Sequence, residues 1–408
     1  MMLYWIWLAE LPNVQLSQKH ILLQYFSDPE ELYHAAAERC AAVPDIPVSV
    51  QNALENKDLT AARKILRDCE RGHIRTVALY DSTYPTRLKS TREAPLVLYI
   101  KGSLPDTSET PSVGMVGTRK ASPYGLTVSR RIGSQIAACG GIVVSGGAVG
   151  NDAAALSGAM EAGGSVIAVL ACGLDNPGPK SNAPLFAKIQ RQGCLLSEYP
   201  PGTPALRWHF PARNRIISGL SNGVLVAEAP KSSGSLITAK YACEQGRDLF
   251  AVPGNIDMST YAGSNALLQD RATAVSCGWD IMKVYAPLYP DKVHKAEPKP
   301  LPEYTETPPQ LLTENVKTPA ISRPARAKKE ELPIDKKAKP SYSVIGEPLP
   351  KLTPEEESVF SCIRTDPRPV DEVILETGIP ANKVLTLLTM LSVKGLVTNH
   401  PGGQVSLK

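Results

Sequence analysis

At 408 residues the chain is longer than one ordinary domain, so two to four folded units are expected. Its hydrophobic content of 43% suits a globular core, and a net charge of only +4 means that any basic surface must be local rather than global. Eight scattered cysteines without a Cys-x-x-Cys pair, several within apolar runs as at Cys139 and Cys172, favour reduced core thiols of a cytoplasmic protein over disulfides or zinc.

The opening stretch Leu3 to Ala9 is apolar but short, lacks a preceding basic region and meets Glu10 at once, so it reads as neither a signal peptide nor a membrane span. Residues 1–75 read as a small helical module. Tyr4 to Leu8, Ile21 to Phe26 and Ala61 to Cys69 carry helical apolar spacing, broken by Pro12, by Ser27-Asp28-Pro29 and by Pro44 to Pro47. Packing or partner contact is the expected role of this module.

Residues 76–285 read as an α/β core. Val77 to Tyr80 and Leu96 to Ile100 are strand-like, and a denser pattern follows from Ser112 to Gly150. There, Ser112 to Val116 ends at Gly117-Thr118-Arg119, and Ile142 to Ser145 ends at Gly146-Gly147. In each half a buried-strand pattern stops at a glycine turn and a helix-compatible segment follows. Glycine lets backbone N–H groups approach a ligand and a helix N-terminus favours negative charge, so each loop suits a phosphate, with Arg119 adding a planar charged fork; each could equally be a plain turn. Gly-x-Gly-x-x-Gly with a following acidic residue and Gly-x4-Gly-Lys-Ser/Thr are both absent, so no nicotinamide or ATP enzyme is indicated and no cofactor is implied. Further buried strands at Ser165 to Leu170, Cys194 to Glu198, Gly223 to Glu228 and Asp248 to Val252 alternate with helical segments. That alternation predicts a doubly wound parallel sheet with its ligand at the carboxyl ends of the strands.

Residues 286–350 hold 13 of the 36 prolines, together with basic clusters at Arg323 to Lys329 and Lys336 to Lys339, and show no hydrophobic period; a disordered linker is expected. Residues 351–408 then predict three helices and a hairpin around Pro401-Gly402-Gly403, the winged-helix pattern. Few basic residues beyond Lys383 and Lys394 lie on its third helix, which leaves both partner binding and DNA reading open.

Taken together, these blocks resemble the DprA (Smf) DNA-processing family over nearly the whole chain. The resemblance rests on Gly117-Thr118-Arg119 with Ser122-Pro123-Tyr124-Gly125, on Ser145-Gly146-Gly147-Ala148-x-Gly150-x-Asp152, and on Ala168 to Asp175. It continues through Leu196 to Gly202, Phe210-Pro211-Ala212-Arg213-Asn214-Arg215 running on to Leu220, Glu228-Ala229-x4-Gly234-Ser235-Leu236-Ile237-Thr238-Ala239, and Gly246 to Gly254. It implies a Rossmann-like core after a SAM-like N-terminal module, and a protein that binds and protects single-stranded DNA, dimerises, and loads RecA during natural transformation. By matching positions the expected cationic contacts are Arg119, Lys180, Arg207, Arg213, Arg215 and Arg247. Gly117, Thr118, Ser145, Gly146, Gly147, Asn214 and Ser235 are the expected hydroxyl, amide or backbone donors. Arg213 and Arg215 suit phosphate gripping or, alternatively, a buried arginine network; Trp208 and His209 suit packing more than base stacking. Self-association is expected around Ala262 to Leu268. Departures from the family pattern fall at Asn151, Leu156, Asn176 to Pro179, Arg271 and Pro12-Asn13-Val14.

The leading expectation is thus a non-catalytic recombination mediator. A nucleotide-hydrolysing enzyme or a nucleotide sensor with a related core is the alternative, because Asp152, Glu198 and Glu228 are carboxylates near strand ends, although none has a visible catalytic partner in the sequence.

Overall fold

The computed structural model describes residues 1–296, 354–363, 368–377, 379–394, 396–400 and 404–407. The chain divides into two units, Met1–Val316 and Lys317–Lys408.

Six helices open the first unit: α1 (Met2–Ala9), α2 (Leu16–Tyr25), α3 (Pro29–His34), α4 (Ala37–Ala41), α5 (Val48–Leu54) and α6 (Thr60–Arg71). The punctuation read from the sequence acts as caps. Asp28 accepts hydrogen bonds from the N–H groups of Glu30 and Glu31 while Pro29 occupies the first helical position, where it forfeits no bond. Trp5 to Leu8 of α1 are all buried, and Trp5 sets its ring edge-on to Tyr80 at 5.0 Å, so these helices share one hydrophobic core with the sheet that follows.

That sheet has nine strands: β1 (Arg75–Ala78), β2 (Val97–Gly102), β3 (Ser112–Val116), β4 (Ile142–Ser145), β5 (Val166–Val169), β6 (Gly193–Ser197), β7 (Gly223–Val226), β8 (Asp248–Ala251) and β9 (Thr273–Ala274). Their order is β1-β2-β6-β5-β4-β3-β7-β8-β9. Strands β3 to β9 run parallel, as the alternation of strand and helix predicts, whereas β2 pairs antiparallel with both β6 and β1. The parallel core read from the alternation is thus extended at this edge by an antiparallel pair. Only α7 (Thr86–Lys89), a single turn, lies between β1 and β2, and antiparallel pairing does not require the full crossover that a parallel pair needs. Every residue of β3 to β7 is buried, which is why these strands read as unbroken apolar runs.

Helices α8 (Pro123–Ala138), α9 (Asn151–Glu161), α10 (Ala183–Gln192), α11 (His209–Leu220), α12 (Ser235–Glu244), α13 (Ala262–Asp270) and α14 (Gly278–Tyr285) complete the unit. Crossovers from β3 through β6 step one way along the sheet and those from β6 through β8 step the other. Right-handed connections consequently place α8, α9 and α10 on one face and α11 and α12 on the opposite one. Helices α8 and α9 approach closely because a Cβ at Gly158 would run into the carbonyl of Arg130.

The second unit holds α15 (Pro354–Ser361), β10 (Arg368–Pro369), α16 (Val370–Thr377), α17 (Ala381–Val393), β11 (Val397–His400) and β12 (Gln404–Leu407). Val359, Val373, Val384, Leu388, Leu391, Val397 and Val405 form its core. The expected three helices and hairpin are present, and β10 adds a third antiparallel strand beside β12. Of the linker expected over 286–350, residues 297–350 lie outside the described residues, as does the turn at 401–403. Residues 286–296 pack on the first unit, with Val293 buried and the His294 N–H donating to Cys139 O at 3.3 Å.

Candidate nucleic-acid interface

Connections leave β3 and β7 towards opposite faces of the sheet, so the loops after their carboxyl ends diverge and open a crevice, the place where ligands collect in sheets of this kind. The crevice is a cavity of about 350 Å³. Gly117, Thr118, Arg119 and Lys120 form one lip, Pro230 to Thr238 the other, and Asp152, Phe210, Arg213 and Asn214 the wall between. A second cavity of about 190 Å³, lined by Leu170, Ala171, Cys172, Pro179 and Ala205, shares Arg119, Ala148, Phe210 and Arg213 with the first.

Both glycine-loop cradles turn out to hold carboxylates of the chain itself. Asp152, 6% exposed, takes the N–H of Ala148 at 3.5 Å and lies within hydrogen-bonding reach of the N–H groups of Gly117 and Gly146. Burial pushes its carboxyl upward and the neighbouring Arg213 opposes that shift. Arg213 is 5% exposed and held down to about 10 by burial. Its Nη1 donates to Gly146 O at 2.6 Å and to Val169 O, and its Nε donates to Asn214 Oδ1 at 3.2 Å, so it stitches the ends of β4 and β5 to α11. Glu228, fully buried, accepts from the Ser122 N–H through both oxygens at 3.0 and 3.2 Å, at the N-terminus of α8 where a carboxylate complements the helix dipole.

Other expected contacts divide by exposure. Arg119 is exposed and stacks its guanidinium over the Phe210 ring at 4.7 Å. Lys180 and Arg207 are exposed on the loops after β5 and β6, at the same end of the sheet. Asn214 Nδ2 donates to Gly234 O at 3.2 Å, and the hydroxyls of Ser235 and Ser233 pair at 2.7 Å, both on the cavity lip. Ser145 is buried and spends its hydroxyl on Met115 O at 2.6 Å, so it supplies no donor to a ligand. Gly147 adopts φ +64°, and its carbonyl accepts from Asn182 Nδ2 at 2.9 Å.

The structure separates Arg215 and Arg247 from this group. Residues two apart on a helix point in different directions, so Arg215 turns away from Arg213. It is 6% exposed and pairs with Glu198 at 2.5 Å and Glu93 at 3.9 Å, the buried-network alternative raised by the sequence. Arg247 immediately precedes β8 and so lies at the amino ends of the parallel strands, where it donates to the carbonyls of Arg87 and Gly219. Trp208 also departs from expectation: it is 68% exposed, whereas His209 is buried and stacks on Tyr199 at 3.9 Å. Phe210 and Lys120 line the cavity although neither was singled out. Phe210 opens the Phe-Pro-x-Arg-Asn-Arg block, and Lys120 is the cation next to Arg119. At the departures, Leu156 is fully buried and Asn151 bridges Ser129 and Thr118 with its amide. Among the described residues no cluster of three or more His, Cys, Asp or Glu is placed to hold a metal ion, and no helix is long and apolar enough to cross a membrane.

Residues 75–286 match the family described as DNA recombination-mediator protein A, and residues 346–403 match the DprA winged helix domain. Protein Smf of Synechocystis is 34% identical over 325 residues, spanning 79% of this chain and 77% of that protein. The DNA processing protein DprA of Streptococcus pneumoniae is 43% identical over 209 residues, 50% of this chain and 72% of its relative. A crystal structure of DprA from Streptococcus pneumoniae superposes with a TM-score of 0.62 at 33% identity, covering 69% of this chain and 98% of the other. A Rossmann-like sheet with its cavity at the switch point, a winged-helix unit and these matches across both agree: the chain belongs to the DprA/Smf family of DNA-processing proteins.

Proposed function

We propose that this chain is a non-catalytic single-stranded DNA binder that protects incoming strands and delivers them to RecA during natural transformation, acting in the cytoplasm as a homodimer. The observation that carries the reading is the switch-point cavity. Its lips present the open cations Arg119 and Lys120 and the polar groups of Thr118, Asn214 and Ser235, while Lys180 and Arg207 stand at the same end of the sheet. Cations spread over several loops suit a phosphate chain more than one compact anion.

The three carboxylates that the sequence sets near strand ends each lie against groups of the chain itself. Asp152 faces Arg213, Glu198 faces Arg215 and Glu228 caps α8, which supports binding without bond cleavage. Recombinase delivery and self-association rest on family membership. The test is an anisotropy titration of labelled single- and double-stranded oligonucleotides over a range of salt, run beside an assay for release of base or phosphate from nucleotides. Salt-sensitive binding that favours the single strand, with no turnover, is expected; turnover of a nucleotide overturns the reading.

A further inference from the structure

We infer that the apolar cavity of about 190 Å³ beside the crevice is a base pocket that takes one unstacked nucleobase while the phosphate of the same nucleotide sits in the larger cavity. The inference rests on the strand-binding reading and deepens it. Leu170, Ala171 and Cys172 prolong β5 into the floor and are each buried, with Pro179 and Ala205 opposite. The partition between the two cavities is the Arg119–Phe210 stack, with the guanidinium 4.7 Å from the ring centroid. One face of that partition is cationic and polar, suited to a phosphate. The other is aromatic and aliphatic, suited to the faces of a planar ring.

The wall residues Arg119, Ala148, Phe210 and Arg213 belong to both cavities, so the two compartments are adjacent, as the phosphate and base of one nucleotide are. Apart from Arg119 and the clamped Arg213, the pocket offers no charged side chain, so it would accept any base. It also supplies a reason for preferring single strands: a base in a duplex must first be unpaired and unstacked before it can enter.

Ala205 is exposed on its loop, so Ala205→Phe fills the pocket without disturbing the core. Two oligomers of equal length are compared, one of thymidines and one of abasic sites with the same phosphates. Wild-type protein is expected to bind the thymidine oligomer about tenfold more tightly, the scale of losing one stacked base. Ala205→Phe is expected to lower affinity for thymidines and leave the abasic oligomer unaffected. A strand carrying 5-iodouracil should photocrosslink to Cys172 or Phe210. Equal wild-type affinity for the two oligomers, unchanged thymidine binding by Ala205→Phe, or crosslinks confined to the exposed Trp208 overturn the base pocket while leaving strand binding intact. If wild-type protein binds neither oligomer, the strand-binding reading falls and takes the pocket with it.

Discussion

Arg119→Ala is the substitution that separates a phosphate contact from a structural arginine. The side chain is exposed, stands on the wall common to both cavities, and is held by the Phe210 ring alone among its described partners. Its removal should therefore leave the melting temperature near wild type, since exposed positions away from caps and networks usually shift stability by less than about 0.5 kcal/mol. A charge-assisted contact at the low end of its range is worth about 1.5 kcal/mol, so single-strand affinity should fall about tenfold. One fewer neutralised phosphate should also flatten the slope of log affinity against log salt by about 0.7. Arg119→Lys keeps the charge but loses the planar fork and its stacking, so it should retain the wild-type slope with intermediate affinity. Fluorescence anisotropy with a labelled oligonucleotide at salt concentrations from about 50 to about 200 mM measures both quantities. An Arg119→Ala protein with wild-type affinity and wild-type slope refutes the assignment.

Arg213→Ala should act through the fold. Its guanidinium is buried and donates to the carbonyls of Gly146 and Val169, so its removal leaves buried acceptors unpaired at about 1–3 kcal/mol, which a urea titration would register as a lowered midpoint before any binding is measured. Arg247→Ala should leave strand affinity and salt slope unchanged, because that side chain stands at the amino ends of the strands; a loss of binding comparable to Arg119→Ala would contradict the placement. Lys19 is 6% exposed and burial holds its amine down to about 8, below its unfolded value, so the stability it contributes is complete above the unfolded value and is lost as pH falls through about 8. Stability should accordingly rise between pH about 8 and about 10, and Lys19→Met should flatten that rise in melts taken at each pH.

Strand positions and glycine turns were legible from the residues because a strand buried on both faces has to be an apolar run, and a chain that turns straight into a helix needs glycine at the turn. Gly117 and Gly146 mark the ends of β3 and β4, where a Cβ would run into Asn151 and into Asp152 and Arg213, and the spacing between strands already implied the crossover helices. The family was legible too, through ordered blocks such as Phe210 to Arg215. What a linear pattern does not carry is which charges are spent internally. Arg213 meets Asp152 and Arg215 meets Glu198 and Glu93 only once the sheet has brought distant loops together, and Arg119, equally basic on paper, is the arginine left open beside them. Arg247 follows a glycine as Arg119 follows a glycine and a threonine, yet strand direction sends one to the amino ends and the other to the carboxyl ends. Local sequence determined the elements because each residue's preference for burial or turning is felt within a few positions. Tertiary structure alone decided the free cations, because a charge's fate is set by whichever opposite charge or carbonyl folding places within hydrogen-bonding distance.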